Sequence, residues 1–121
     1  MARRALALVG ARFRLHGRDA AGGVDCVGVA AAALGEADVP AGYALRGGDP
    51  ARVAALLDAR LARGDGRRAG DVLLFVAGPG QLHLAIAVAG GVVHADAGLR
   101  RVVRRPGVAP WGLIGAWRRR A

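Results

Sequence analysis

Lysine is missing from this sequence, cysteine occurs once, and aromatic residues are few. The single cysteine, Cys26, cannot form an internal disulfide, so cysteine usage leaves the redox compartment undetermined. No stretch approaches the ~20 apolar residues of a membrane-spanning helix, which excludes a helical span. The apolar run near the N-terminus is very short, so we expect an amphipathic first helix rather than a signal peptide, and synthesis in the cytoplasm.

The length and composition fit one small packed domain. The chain has 121 residues, which suits a single domain over residues 1–121 and leaves no room for two ordinary ones. Hydrophobic residues make up 54%, but many of them are alanine and aromatics are only 4%. We therefore expect a core of close-packed small and aliphatic side chains.

The charge is strongly positive and unevenly distributed. All 18 basic residues are arginine, against 9 acidic residues, which gives a net charge of +9. The segment 97–121 contains no acid and carries Arg100, Arg101, Arg104, Arg105, Arg118, Arg119 and Arg120. A basic surface favours polyanions such as nucleic acid, anionic lipid or acidic cell-wall polymers, although a solvated surface explains it equally well. Because the chain has no recognisable nucleic-acid reader motif and very few aromatics for stacking, no specific nucleic-acid partner is expected.

The first half of the chain has helical patterns. Residues 2–9 favour a helix ending at Gly10, and a loop rich in Gly and Arg follows over 10–24. A second helix begins near Cys26 and stops at Gly35, and residues 36–48 form a connection. Asp49 and Pro50 provide a cap and a first helical residue for a third helix, which is predicted to run to about Arg63.

The second half of the chain has the patterns of strands. Residues 72–76 form a short apolar run bounded by turn residues, and residues 82–88 alternate, with His83 on a face otherwise made of alanine. Gly90-Gly91 suits a hairpin turn, with strands predicted at 92–95, 99–104 and 112–118. Helices followed by antiparallel strands indicate the α+β class.

Cys26 is the first candidate for a catalytic residue. It follows Gly22-Gly23-Val24-Asp25 and opens an apolar helix, so its thiol lies at the positive end of the helix dipole. That position lowers the pKa of a thiol and favours the reactive thiolate. A single cysteine, taken alone, is more often a small buried apolar residue.

Two histidines and one aspartate are candidates to act with the thiol. The alanine neighbours of His83 are small and allow another element to approach closely. The helix that begins at Cys26 is the natural candidate for that element, and His83 would then meet the thiol as a general base. A third polar group is needed to orient that base. A Gly90-Gly91 turn pairs residue 94 with residue 87 and places Asp96 opposite Ala85, nearer to His83 than His94 is. His94 and Asp96 therefore both stay candidates on residue spacing.

These segments together resemble the NlpC/P60 cysteine peptidases. Residues 10–17 and 23–29 resemble the glycine, aromatic and Asp-Cys motifs of that family. Residues 70–75 look like its Gly-Asp strand, residues 83–87 like its His strand, and residues 90–95 like its turn and His-Ala strand. Each piece is weak alone, but their order and spacing along most of the chain are specific.

The resemblance implies a papain-like α+β fold and a thiol peptidase acting on peptidoglycan stem peptides. It implies Cys26 as nucleophile, His83 as base and His94 as the orienting residue, ahead of Asp96. A thiol peptidase of this kind needs no cofactor or metal. The form of the motif with His16 and a longer Gly-rich insert before Asp-Cys is similar to that of small peptidases in phage tails and gene transfer agents. This resemblance implies phage-like particle proteins as partners and delivery to the wall by a particle.

Departures from the family pattern leave alternatives open. Phe13 stands where a tyrosine is common, and Val27 replaces a serine. Phe13, His16 and Asp25 are candidate substrate-binding residues. A catalytically weak tail or wall-binding protein with the same fold is the main alternative. A zinc site from Cys26, His83 and His94 has suitable ligand types but lacks closely paired spacing.

Overall fold

The described part of the chain forms three helices and eight strands. A computed structural model describes residues 2–13, 18–19, 23–24, 26–34, 49–96 and 98–120. The elements in chain order are α1 (Ala2–Ala7), β1 (Arg18–Asp19), β2 (Gly23–Val24), α2 (Cys26–Leu34), α3 (Pro50–Asp58), β3 (Ala62–Gly64), β4 (Val72–Gly78), β5 (Gln81–Val88), β6 (Gly91–Asp96), β7 (Arg101–Pro106) and β8 (Gly112–Arg118). None of the helices in these ranges is long and apolar enough to cross a membrane.

The start of α3 is capped as the sequence predicts. The carboxylate of Asp49 accepts a hydrogen bond of 3.0 Å from the backbone N–H of Ala51, and Pro50 is the first helical residue. The predicted extension to Arg63 is wrong, because α3 ends at Asp58 and residues 62–64 pair with β8 instead. A sheet partner far along the chain therefore overrides the local helical pattern.

Two other predicted boundaries in the N-terminal half also change. Helix α1 ends at Ala7, because the chain closes into a turn in which the N–H of Leu8 donates to the carbonyl of Ala5. The predicted loop over 10–24 contains a two-residue ladder that pairs β1 with β2.

Six strands form one sheet in the order β3-β8-β4-β5-β6-β7. All neighbouring strands are antiparallel, so the architecture is α+β as predicted. The hairpin between β4 and β5 turns at Pro79-Gly80, where Gly80 has φ 66°. Proline and then a left-handed glycine suit such a turn.

The register of β5 and β6 differs from the sequence prediction by two residues, because the turn lies one residue earlier. Val88 pairs with Gly91, so the turn consists of Ala89 and Gly90 rather than Gly90-Gly91. Gly90 has φ 75°, which fits glycine at the second turn position. Extending the register of Ile86 with Val93 places residue 94 opposite residue 85, not residue 87.

The sheet has two distinct faces. The helix face carries Leu74, Leu82, Leu84, Ile86 and Val93, which share one buried cluster with side chains of α1, α2 and α3. The opposite face, here called the histidine face, carries a second cluster formed by Leu73, Phe75, Ala85, Ala87, Val92 and Ala116, with Trp111 packed against it. Alternation along β5 and β6 puts His83 and His94 on this second face.

Backbone hydrogen bonds attach the segment after α1 to edge strand β7. The N–H of Phe13 donates to the carbonyl of Arg100 at 2.9 Å, and the N–H of Val102 donates to the carbonyl of Ala11 at 2.8 Å. Because Arg101 pairs with Asp96, this attachment brings the N-terminal segment to the end of the sheet where β6 ends.

The Gly70-Asp71 pair anchors the start of β4. Asp71 is fully buried, and its carboxylate accepts hydrogen bonds from the N–H of Gly66 at 3.0 Å and from Nη2 of Arg118 at 2.8 Å. Nε of Arg118 donates to the second oxygen at 3.1 Å. One buried carboxylate thus ties together the loop before β4 and the end of β8.

Candidate active site

His83 and His94 contact each other directly. Nε2 of His83 lies 2.9 Å from Nδ1 of His94, and the two rings meet edge to face with centroids 5.0 Å apart. The contact follows from the observed register, which makes His83 and His94 diagonal neighbours on one face of β5 and β6. The Gly90-Gly91 turn predicted from the sequence places His94 too far along the strand for such a contact.

The hydrogen bond leaves one nitrogen of His83 available for acid–base chemistry. Among the described residues, nothing hydrogen-bonds to Nδ1 of His83. If Nδ1 accepts a proton, Nε2 carries the other hydrogen and donates it to Nδ1 of His94. His94, which is buried, would then hold the ring of His83 in the orientation and tautomer that a base requires.

Trp111 packs against both histidines. Its ring centroid lies 4.9 Å from that of His83 and 5.0 Å from that of His94, both in edge arrangements. Phe75 meets the same indole at 5.4 Å. No motif marks a tryptophan in the loop between β7 and β8 as a neighbour of the histidines, so the sequence does not predict these contacts.

Burial lowers the pKa of both histidines and so favours the neutral imidazole. It lowers the pKa of His83 to about 4, with a further lowering from His94 and a partial opposing effect from the charge of Asp96. Burial also lowers the pKa of His94, again opposed by Asp96. A neutral imidazole can accept a proton from a thiol, and a neighbouring thiolate would favour the protonated form of the ring.

Asp96 contributes charge and a turn contact rather than a bond to His83. Its carboxylate accepts a hydrogen bond of 2.9 Å from the backbone N–H of Leu99, which closes the turn into β7. Within the described ranges, the hydrogen bond to His83 comes from His94 and not from Asp96.

The structure describes the nucleophile candidate only in part. Cys26 is the first residue of α2, as predicted, and its side chain lies outside the described part of the structure. The expectation that α2 packs on the alanine side of β5 is wrong. Val27, Val29 and Ala30 pack on the helix face, and Trp111 covers the histidine face.

The remaining predicted site residues are dispersed or undescribed. Phe13 is half-buried against the cluster on the helix face. His16 and Asp25 lie outside the described residues. No three His, Cys, Asp or Glu side chains within the described ranges come together as metal ligands.

Solved structures with the same fold are NlpC/P60 domains. NlpC1 from Trichomonas vaginalis superposes with a TM-score of 0.67 and 18% identity over 98% of this chain, which spans 42% of the length of that protein. The NlpC/P60 domain of the peptidoglycan hydrolase SagA gives 0.64 and 21%, covering 95% of this chain and 92% of that domain. The P60 domain of the antigen MAP1204 from M. avium subspecies paratuberculosis gives 0.57 and 21%, covering 97% and 89%.

These comparisons confirm the expected fold. No family model matches the sequence, and the sequence matches no curated protein significantly. At the identities observed, the likeness to the solved domains establishes an NlpC/P60 fold and nothing about activity.

Proposed function

We propose that this protein is a cysteine peptidase that hydrolyses amide bonds in the stem peptides of peptidoglycan. The observation that carries the proposal is the hydrogen bond of 2.9 Å between His83 and His94 on the histidine face of an NlpC/P60 fold. The name of SagA, a peptidoglycan hydrolase with this fold, supports the choice of substrate class. Cys26 is the nucleophile, His83 the general base and His94 the orienting residue in this proposal.

The position of the N-terminal segment supports a meeting of Cys26 with His83. Phe13 and Ala11 run along β7 at Arg100 and Val102. In the extended register of β5 and β6, this is also the end of the sheet to which His83 belongs. Thirteen positions separate Phe13 from Cys26, so the start of α2 can lie beside that end while the body of α2 packs on the helix face.

The proposed chemistry is acyl transfer to water. His83 takes the thiol proton at Nδ1, and the Cys26 thiolate attacks the amide carbonyl to form a tetrahedral intermediate. Backbone N–H groups at the start of α2 hold the oxyanion. The protonated His83 gives its proton to the leaving amine as the C–N bond breaks, which leaves a thioester on Cys26. Water activated by His83 then attacks the thioester, and the carboxylic acid and the Cys26 thiol are released.

Digestion of purified peptidoglycan tests this proposal. The wild-type protein, Cys26→Ala and His83→Gln are incubated with the polymer, and released fragments are identified by mass. We expect new amine and carboxyl ends with the wild type only. Equal fragment patterns from wild type and Cys26→Ala would contradict the proposal, provided that both proteins show the same cooperative unfolding transition.

Alkylation of the thiol distinguishes the peptidase from a wall-binding protein with the same fold. An activated Cys26 should react with iodoacetamide at pH 6 much faster than free cysteine, because a larger fraction of it is thiolate. The rate should fall in His83→Gln. A reaction as slow as that of free cysteine would favour the non-enzymatic alternative.

A further inference from the structure

Edge strand β7 presents arginines on the same face as the two histidines. Arg101 pairs with Asp96, Val103 with His94, and Arg105 with Val92. Residues directly opposite in an antiparallel pair point to the same side of the sheet. Arg101 and Arg105 therefore lie on the histidine face, one on each side of the residue that pairs with His94.

The third arginine of β7, Arg104, has a different environment. Arg104 alternates to the other side of β7, and its Nη2 donates to the carbonyl of Ala89 in the hairpin turn. Arg63 and Arg118 are occupied as well, since they form ion pairs with Asp58 at 2.7 Å and with Asp71 at 2.8 Å. These three guanidinium groups already have partners within the protein.

Arg101 and Arg105 are exposed and available to a ligand. Neither forms an ion pair with any carboxylate in the described part of the chain. Val103, between them, is half-buried. The field of Arg105 reaches the histidine pair, since the pKa of His94 is lowered by burial and, to a smaller extent, by the charge of Arg105.

We propose that Arg101 and Arg105 form a carboxylate-binding subsite that holds an acidic peptide beside the His83–His94 pair. This inference rests on the proposed function, since stem peptides carry free carboxylates close to their amide bonds. A guanidinium group binds a carboxylate through two parallel hydrogen bonds, which fixes the orientation of the ligand as well as attracting it. Arg101 and Arg105 are substrate-positioning residues in this proposal, distinct from the groups that move protons.

The spacing of the two arginines suits a peptide rather than a single ion. Four residues along a strand separate their Cα atoms by about 13 Å. A peptide lying along β7 can offer a carboxylate to each guanidinium while its backbone crosses above Val103. The basic surface of the C-terminal half thus acquires a specific role at these two positions.

Matched synthetic stem peptides test the subsite. One pair differs only in whether the α-carboxylate of a γ-linked D-glutamyl residue is free or amidated. A second pair differs in the same way at the side-chain carboxylate of diaminopimelate. Binding is measured by calorimetry on Cys26→Ala protein, so that cleavage does not interfere, and kcat/KM is measured on the protein with Cys26 intact.

We expect the free carboxylate to be preferred in at least one pair. Arg105→Gln should reduce that preference about fivefold, and the double variant with Arg101→Gln should reduce it further, which is the range for exposed charge-assisted pairs. The preference of the wild type should also weaken with added NaCl. Affinity for the amidated peptide, which keeps its other carboxylate, should change less in Arg105→Gln than affinity for the free form.

Arg52→Gln, on α3, is the matched control because it removes the same charge from a helix on the other side of the sheet. It should leave the preference intact. Equal binding of free and amidated peptides in both pairs, or an equal loss with Arg52→Gln, would overturn the subsite. A different outcome is that the peptides bind with the expected preference while the protein with Cys26 intact cleaves them no faster than Cys26→Ala does. In that case the proposed peptidase activity fails and the subsite stands.

Discussion

The hydrogen bond between His83 and His94 gives the clearest prediction at the scale of single residues. His94→Ala removes the acceptor that orients the imidazole of His83, and we expect kcat to fall about 10- to 100-fold with a smaller effect on KM. His94→Asn keeps an acceptor oxygen and should recover part of the loss. Steady-state cleavage of a stem peptide across a pH series measures both effects, because an altered base also shifts the pH profile.

Asp96→Asn is the matched control for His94→Ala. Asparagine keeps the oxygen that accepts from the N–H of Leu99 and removes the negative charge that raises the pKa values of both histidines. We expect kcat to change much less than with His94→Ala. A larger loss with Asp96→Asn would reverse the assignment and make Asp96 the orienting residue.

Asp71 gives the prediction at the scale of structural elements. Asp71→Asn removes the buried charge that holds Arg118 and places an amide among N–H donors from the loop before β4. We expect a loss of about 3 kcal/mol in the free energy of unfolding, in the range for breaking a buried charged hydrogen-bond network. Urea unfolding followed by tryptophan fluorescence measures it.

Asp65→Asn is the comparison for Asp71. Asp65 also contacts Arg118, at 3.0 Å, but its side chain is exposed, so water can replace the lost partner. Its midpoint in urea should stay close to that of the wild type. Equal midpoints for the two variants would show that Asp71 does not anchor β4 as the contacts indicate.

The elements also show where sequence reasoning succeeded and where it failed. Alternation and turn residues predicted the strands, with 112–118 matching β8, because those signals are local. The end of α3 and the register of β6 depend on partners elsewhere: β8 takes residues 62–64, and Ala89 rather than Gly91 enters the turn. A turn displaced by one residue shifts the register by two, which is enough to separate His94 from His83 in the prediction.

The two faces of the sheet explain why the candidate site was harder to predict than the fold. Periodicity shows that His83 and the leucines of β5 point to opposite sides, but it does not say which side the helices cover. Packing decides this, since the leucines and isoleucine bury more apolar area against α2 than the alanines could. Trp111 then covers the alanine side, which no local pattern in the loop before β8 indicated.

At the scale of the whole molecule, positive charge and buried histidines act together. With 18 arginines and 9 acidic residues, the folded chain already carries excess positive charge. Each proton added to a buried imidazole increases that excess in a place with little solvation. Acidification should therefore destabilise the native state well before the carboxylates titrate.

The pH dependence of unfolding tests this coupling. The pKa of His83 is lowered from 6.5 to about 4 in the native state, so between those values the unfolded chain binds more protons than the native one. Stability therefore rises with pH through this window and is lost as pH falls through it, by about 3 kcal/mol at most from His83 alone. Urea titrations of Cys26→Ala from pH 4.5 to 7.5 measure the slope without the thiol.

The same titrations on a Cys26→Ala, His83→Gln double variant isolate the imidazole. Carboxylates and the remaining histidines titrate in both proteins, so their contributions cancel in the difference between the two slopes. The double variant should lose the contribution of His83 and keep those of the carboxylates and of His94, whose pKa is also lowered. Identical slopes would mean that His83 is protonated in the native state as readily as in the unfolded chain, and a buried neutral base at this position would be ruled out.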